Sequence, residues 1–110
     1  MLNGRLVKRS WGWYLTLIDR NHFKVKLLWF KKDGELSLQR HEHRGEAWMF
    51  LSGIGSIGNC EDGFFTGIAK AGDYWHISRG SWHKYYAMKS TIILEVQYGD
   101  KCDERDIIRI

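Results

Sequence analysis

The chain predicts an all-β sandwich or barrel, and three observations carry that prediction. Glycines and polar pairs punctuate the sequence roughly every 8–12 residues. No long segment shows clean helical periodicity. The runs between the turn signals are rich in Trp, Tyr, Phe, Ile and Val, the residues that fit a pleated, half-buried surface. Many short strands at this spacing are the mark of a sandwich or barrel. With 110 residues and no linker, repeat or low-complexity tract, residues 1–110 read as one domain.

The elements follow in order. Trp13–Ile18 is the first predicted strand. Phe23–Phe30 comes next, with Lys24 and Lys26 at alternate positions, and runs into a charged turn at Lys31-Lys32-Asp33-Gly34. Ser37–His43 places Gln39, His41 and His43 on one face by strand alternation. Glu46–Leu51 places Trp48 and Phe50 on the face of Glu46, turned inward. Gly53–Gly58 and Phe64–Ala69 flank the turn signal Glu61-Asp62-Gly63. Asp73–Ile77 precedes Arg79-Gly80, and His83–Ala87 and Thr91–Tyr98 complete the set. Proline is absent, so Gly, Asn and Asp must supply the turn chemistry.

Met49 and Leu51 face outward in this reading, yet both are apolar. A strand apolar on both faces is covered on both faces. A homodimer is the expected cover, with a terminal segment as the alternative. The six tryptophans are expected in the core and barrel lining, Trp48 also walling the pocket.

Composition sets further bounds. Hydrophobic residues at 44% and charged residues at 27% are ordinary for a globular protein. No apolar run is long enough to span a bilayer, and Met1-Leu2-Asn3-Gly4-Arg5 lacks a signal-peptide core. A cytoplasmic protein with no membrane partner is the expectation. Cys60 and Cys102 form no C-x-x-C pair and read as reduced thiols. The formal charge of +4 suits a small anionic ligand without demanding one. Lys24–Lys32 mixes basic and aromatic residues, but no basic helix or dense basic stripe accompanies it, so no nucleic-acid partner is expected.

The chemistry lies in Gln39-Arg40-His41-Glu42-His43-Arg44-Gly45-Glu46 and the distant His83. Nitrogen and oxygen donors gathered this way suit a divalent transition metal. Two registers compete. One takes Gln39, His41, Glu46 and His83 as ligands and leaves His43 as an inward neighbour of the metal. The other takes His41 and His43 as the histidine pair. His22 and His76 read as turn and surface residues.

These residues, with Gly53, Gly72, Ser78 and Gly80, resemble the two motifs of the cupin superfamily, G-x5-H-x-H-x3–4-E-x6-G and G-x5-P-x-G-x2-H-x3-N. The family spacing favours the first register, with Gln39 in place of the first histidine. The resemblance implies a cupin-type jelly-roll barrel (a double-stranded β-helix). Leu36-Ser37-Leu38-Gln39-Arg40-His41-Glu42-His43-Arg44-Gly45-Glu46-Ala47-Trp48 is further similar to the signature of type II mannose-6-phosphate isomerases. In that family this domain commonly forms the C-terminal part of bifunctional mannose-1-phosphate guanylyltransferases. Arg9-Ser10-Trp11-Gly12, Phe23-Lys24-Val25-Lys26, Glu95-Val96-Gln97 and Asp106-Ile107-Ile108-Arg109 match in order. Departures are Lys32-Asp33 for P-G, Ser78 for proline, Ala87 for asparagine, and Glu42 and Ala47 for histidines.

The implied activity is a metal-dependent aldose–ketose isomerisation of mannose-6-phosphate to fructose-6-phosphate through an enediol. Zinc is the first choice of metal, with Mn, Co, Ni or Fe as alternatives. A Lewis acid and a proton-transfer base are required. His43 and Glu95 are the candidate bases. Arg109, Lys26, Arg44 and Arg9 are the candidates for holding the phosphate, and Gln97 is a candidate substrate contact. A non-catalytic cupin that binds a sugar or sugar nucleotide is the alternative; an iron-dependent cupin oxygenase is a third.

Overall fold

A computed structural model describes residues 6–59 and 64–109. Within them the chain is all β, in two antiparallel sheets. In order the strands are β1 (Leu6–Arg9), β2 (Gly12–Asp19), β3 (Phe23–Phe30), β4 (Glu35–Arg40), β5 (Arg44–Ser52) and β6 (Ile54–Gly58). Then come β7 (Gly67–Lys70), β8 (Tyr74–Ile77), β9 (His83–Ala87), β10 (Thr91–Gly99) and β11 (Ile108–Arg109). The first sheet runs β1-β2-β3-β10-β5-β8 and the second β11-β4-β9-β6-β7. From β3 onward every pair of consecutive strands except β6–β7 therefore crosses between the sheets, the wrapping that turns two sheets into a jelly roll.

Alternation on the strands fixes what lies between the sheets. Phe30, Phe50, Ile57, Tyr85 and Ile93 are each at most 2% exposed and form the apolar end of the interior. Phe30 meets Tyr85 edge-on at 5.0 Å and stacks on Trp11 at 4.2 Å, geometries that aromatic pairs favour. The Tyr85 hydroxyl and the Thr91 hydroxyl share a hydrogen bond of 3.0 Å, so the phenol is buried with a partner. At the other end the same strands turn polar: Lys26, Gln39, Glu46, His83, Glu95 and Gln97 are all buried.

Two turns show how the sequence closes the strands. Gly53 sits at φ +89 between β5 and β6, and a Cβ there would lie 2.4 Å from the Ser90 carbonyl oxygen. Only glycine meets both demands. Asp33 takes φ 68 in the turn after β3. Aspartate tolerates that left-handed conformation, and so replaces the glycine of the P-G turn.

β3 and β9 have the predicted bounds, and most other predicted strands overlap observed ones. The predicted strand Ser37–His43 ends early, at Arg40. Phe64–Ala69 gives a strand only at β7. β1 and β11 were not anticipated; both are short edge strands. Cys102 is free and buried, whereas Cys60 and the turn Glu61-Asp62-Gly63 lie outside the described residues. The placing of the tryptophans needs one correction. Trp11 and Trp48 are in the core and Trp75 packs against it. Trp13 and Trp29 stack on each other at 6.0 Å, on the outer face, because their neighbours Tyr14 and Leu28 point inward. Met49 and Leu51 are 37% and 54% exposed, so among the described residues no terminal segment buries them. No helix among the described residues is long and apolar enough to cross a membrane.

Candidate metal centre

The polar end of the interior is a cavity of about 120 Å³. Both sheets build it. β5 of the first sheet carries Glu46, opposite Gln97 of β10. β4 and β9 of the second carry Gln39 and His83, which face each other in register. His41 enters from the turn between β4 and β5. One donor atom from each of His41, Glu46 and His83 lies within 4.8 Å of the others, and all three residues are buried. His41 Nε2 is 3.4 Å from Glu46 Oε2, and His83 Nε2 is 3.8 Å from Glu46 Oε1. Ligand atoms about 2.1 Å from one ion lie roughly 3–3.5 Å apart. The three residues need little contraction to hold one.

Protonation states also fit. A carbonyl oxygen only accepts, so His41 Nδ1–H donates to the Asp106 carbonyl (2.5 Å) and His83 Nδ1–H to that of Ser81 (3.1 Å). Each imidazole then turns its Nε2 inward, the orienting device usual for metal-binding histidines. That of His41 accepts from the Arg44 guanidinium at 3.3 Å, a bond that an ion would take over. Burial, reinforced by the Arg44 charge, outweighs the Glu46 carboxylate and lowers the pKa of His41, favouring the neutral ring a metal needs. Burial alone would raise the pKa of Glu46. His83, Arg44 and His41 together overcome that and hold it down at about 2. Gln39 gives its amide N–H to the Ser37 carbonyl (3.2 Å), which leaves its carbonyl oxygen as a fourth donor. The donor set therefore suits a divalent transition metal.

Glu95 stands beside this group with the opposite tendency. Burial first, and the Glu46 charge second, raise its pKa to about 8. Trp48 Nε1 donates to both Glu46 Oε1 (3.1 Å) and Glu95 Oε2 (3.0 Å), and Gln97 Nε2 donates to Glu95 Oε1 (2.8 Å). One carboxyl is thus held ionised and the other protonated in the same cavity, as expected for like charges at close quarters. Gln97 Oε1 is buried and has no hydrogen-bond partner among the described residues.

The remaining predicted site residues divide. Arg9, Lys26, Arg44 and Arg109 all line the cavity, but Lys26 and Arg44 are paired with carboxylates. Arg44 donates to Glu46 Oε2 (3.0 Å), His41 Nε2 (3.3 Å) and the Asp103 carbonyl (3.1 Å). Lys26 pairs with Glu104 and lies over the Tyr14 ring. Arg9 and Arg109 are exposed at the mouth. His43 is the correction. Its side chain is 43% exposed, lies 3.7 Å from Asp100, and borders a separate surface depression with Lys101, Asp103, Arg105 and Asp106. The strand ends at Arg40, so alternation no longer governs where residue 43 points.

Asp106, Glu104 and Ile107 were not among the candidates. The Asp106 carboxylate accepts the backbone N–H of Glu42 (2.9 Å) and of His43 (2.8 Å). Its backbone carbonyl orients His41. Glu104 and Ile107 line the cavity from the same C-terminal segment. No local pattern marks them; the contacts span more than sixty residues of sequence.

The fold has counterparts among solved structures. The chain is similar in fold to an RmlC-like cupin from Shewanella frigidimarina, with a TM-score of 0.79 and 16% identity over 94% of this chain and 88% of that one. It is also similar to oxalate decarboxylase from Bacillus subtilis, with a TM-score of 0.84 and 16% identity over 98% of this chain and 30% of that one. Those likenesses establish a cupin fold. The alginate biosynthesis protein AlgA of Pseudomonas aeruginosa is 36% identical over 107 residues, 94% of this chain and 21% of that protein. A mannose-1-phosphate guanylyltransferase of Sinorhizobium fredii is 30% identical over 93% of this chain and 20% of its own length. The chain thus spans about a fifth of the curated relatives it matches. The family described as mannose-6-phosphate isomerase C-terminal matches residues 2–110, and the chain belongs to that family.

Proposed function

We propose that the chain is a metal-dependent sugar-phosphate isomerase that interconverts mannose-6-phosphate and fructose-6-phosphate. The observation that carries this reading is the cavity shared by three buried metal-ligand side chains and one protonated carboxyl, Glu95. Isomerisation moves one proton between C1 and C2 through an enediol, and needs a single group able to take it and return it. Glu95 lies within the cavity, and Trp48 and Gln97 fix its two oxygens in place. Of the two candidate bases it is the one inside the cavity, and it acts through its ionised form. With a pKa of about 8, a fraction of Glu95 is carboxylate at neutral pH. That fraction takes the C–H proton and, once protonated, returns it to the neighbouring carbon. Gln39, His41, Glu46 and His83 would hold the ion, which when bound supplies Lewis-acid stabilisation of the sugar oxygens as negative charge develops. Gln97 Oε1, a buried acceptor without a partner among the described residues, suits a sugar hydroxyl. Arg9 and Arg109 at the mouth suit the phosphate, because Arg44 and Lys26 are committed to Glu46 and Glu104.

One observation favours the second reading, sugar binding without turnover. A cavity of about 120 Å³ is below the roughly 300–1,000 Å³ of most ligand pockets. The experiment is proton NMR of mannose-6-phosphate in deuterated water with protein reconstituted in Zn, Mn, Co, Ni or Fe(II). Fructose-6-phosphate carrying deuterium at C1, and a loss of about 10²-fold or more in Glu95→Gln, is the expected result. Binding of the sugar phosphate with no product under every metal would instead leave the second reading standing.

A further inference from the structure

The outer face of the six-stranded sheet has the wrong polarity for solvent. One row of paired residues crosses all six strands: Leu6, Leu15, Leu27, Leu94, Met49 and Tyr74, each opposite the next. The neighbouring row holds Val25, Val96 and Ala47, and the row on the other side Trp13, Trp29 and Ile92. Among the described residues of these strands, Lys8 and His76, both on edge strands, are the only basic side chains on this face, and none is acidic. β3 is inverted relative to an ordinary strand. Its lysines Lys24 and Lys26 point into the barrel, and Val25, Leu27 and Trp29 point out.

The second sheet is the internal control. Its outward positions include Glu35, Lys84, Tyr86 and Lys70, the polar alternation of a sheet that faces water. One chain therefore carries one solvated sheet face and one apolar face. An exposed apolar patch of this extent marks an interaction surface.

We propose that this face is a dimer interface, on which two copies of the chain stack their six-stranded sheets about a two-fold axis with Leu27, Leu94 and Met49 near the centre. Three features select a second copy as the occupant. The face is almost uncharged, so nothing repels when it meets itself, and a two-fold interface must be self-complementary. It is a sheet, and sheets stack on sheets about 10 Å apart with interdigitating side chains. Its extent is also adequate. Four strands of eight or nine residues flanked by two of four, spaced about 4.8 Å apart, give a flat footprint of about 600 Å² before side-chain relief, close to the roughly 800 Å² per partner of a stable interface.

The two internal methionines make a built-in test. Met49 on the apolar face and Met88 beside the second sheet are 37% and 42% exposed in the single chain. A monomer exposes both to peroxide alike; the stacked dimer shields only Met49. Sulfoxide formation at each is followed by peptide mass spectrometry alongside sedimentation equilibrium. The expected result is twice the 13.0 kDa chain mass, with Met49 oxidised at least several-fold more slowly than Met88. Leu94→Glu is expected to give a monomer in which the two rates converge, whereas Ile68→Glu on the second sheet leaves the dimer intact. A folded wild-type monomer overturns the proposal. So does a dimer whose methionines react equally, which would pair through another surface, and so does an open series of aggregates. If Leu94→Glu fails to fold, the wild-type mass and methionine rates decide alone.

Discussion

Glu95 and His41 leave opposite signatures in the pH dependence of stability, and their signs separate them. The folded-state pKa of Glu95 is raised from 4.5 to about 8 by burial and by Glu46. Its contribution to stability is therefore fully present below pH 4.5 and is lost as pH rises through about 8. His41 is lowered from 6.5, so its contribution grows as pH rises and levels off above about 6.5. Glu46 is lowered from 4.5 and is already ionised in both states above that pH. Between about pH 7 and 8 only Glu95 among these three still titrates. Metal-free protein should lose up to about 1.4 kcal/mol per pH unit there, and Glu95→Gln should flatten the slope in urea unfolding at a series of pH values. An unchanged slope in Glu95→Gln would remove Glu95 as the protonated carboxyl. At this scale the sequence was legible wherever a strand carried the residue. Gln39, Glu46, His83 and Glu95 all sit on strands, and alternation aimed them inward as read. His43 sits past the end of β4, in a turn whose direction depends on Asp106, and no local pattern could place it.

The element that sequence reading understood least is the C-terminal segment from Asp103 to Arg109, and it shapes the site most. β11 is two residues long and pairs only with β4, Ile108 opposite Arg40 and Arg109 opposite Gln39. A strand that short has no period to detect, and its match to the family was the only sign of it. Yet this segment orients His41, holds the 41–43 turn and brings Glu104 to Lys26. Asp106→Ala frees two backbone N–H groups of that turn. It should cost roughly 1 kcal/mol in a thermal or urea melt and weaken metal affinity by about 10–100-fold in calorimetric titration, although Asp106 has no side-chain contact with the cavity centre. Retained affinity would show that the turn holds its shape without the carboxylate. Glu104→Ala leaves Lys26, 3% exposed, as a buried ammonium without its carboxylate. Loss of a fully buried partner costs about 3–5 kcal/mol. Glu104 is itself 46% exposed, so about 1–3 kcal/mol is expected, with Lys26→Met/Glu104→Ala recovering much of it. β1 escaped notice for a related reason: it alternates Leu6, Lys8 outward and Val7, Arg9 inward, and neither face is clearly apolar.

At the scale of the whole molecule, the candidate metal centre is where polar side chains of the two sheets meet, with Trp48 packed edge-on against His83. The apolar end is closed by Phe30, Tyr85, Phe50 and Ile57 from both sheets. At the polar end Glu46 belongs to the first sheet, Gln39 and His83 to the second, and His41 to the turn that joins them. An ion held by this set ties the sheets to each other and to the turn, so binding should register as global stability rather than as a local change. A ligand at 100 times its Kd adds about 2.7 kcal/mol to the folded state. For a chain of this length that corresponds to a rise in Tm of roughly 10–20 °C. Scanning calorimetry of chelator-treated protein, before and after addition of zinc or manganese, measures it directly. The ligand register is tested in the same scans. Gln39→Ala should lose much of the metal-induced rise, and His43→Ala should keep all of it, because His43 lies outside the cavity. The opposite order would return the histidine pair to His41 and His43 and require the turn to refold around the ion.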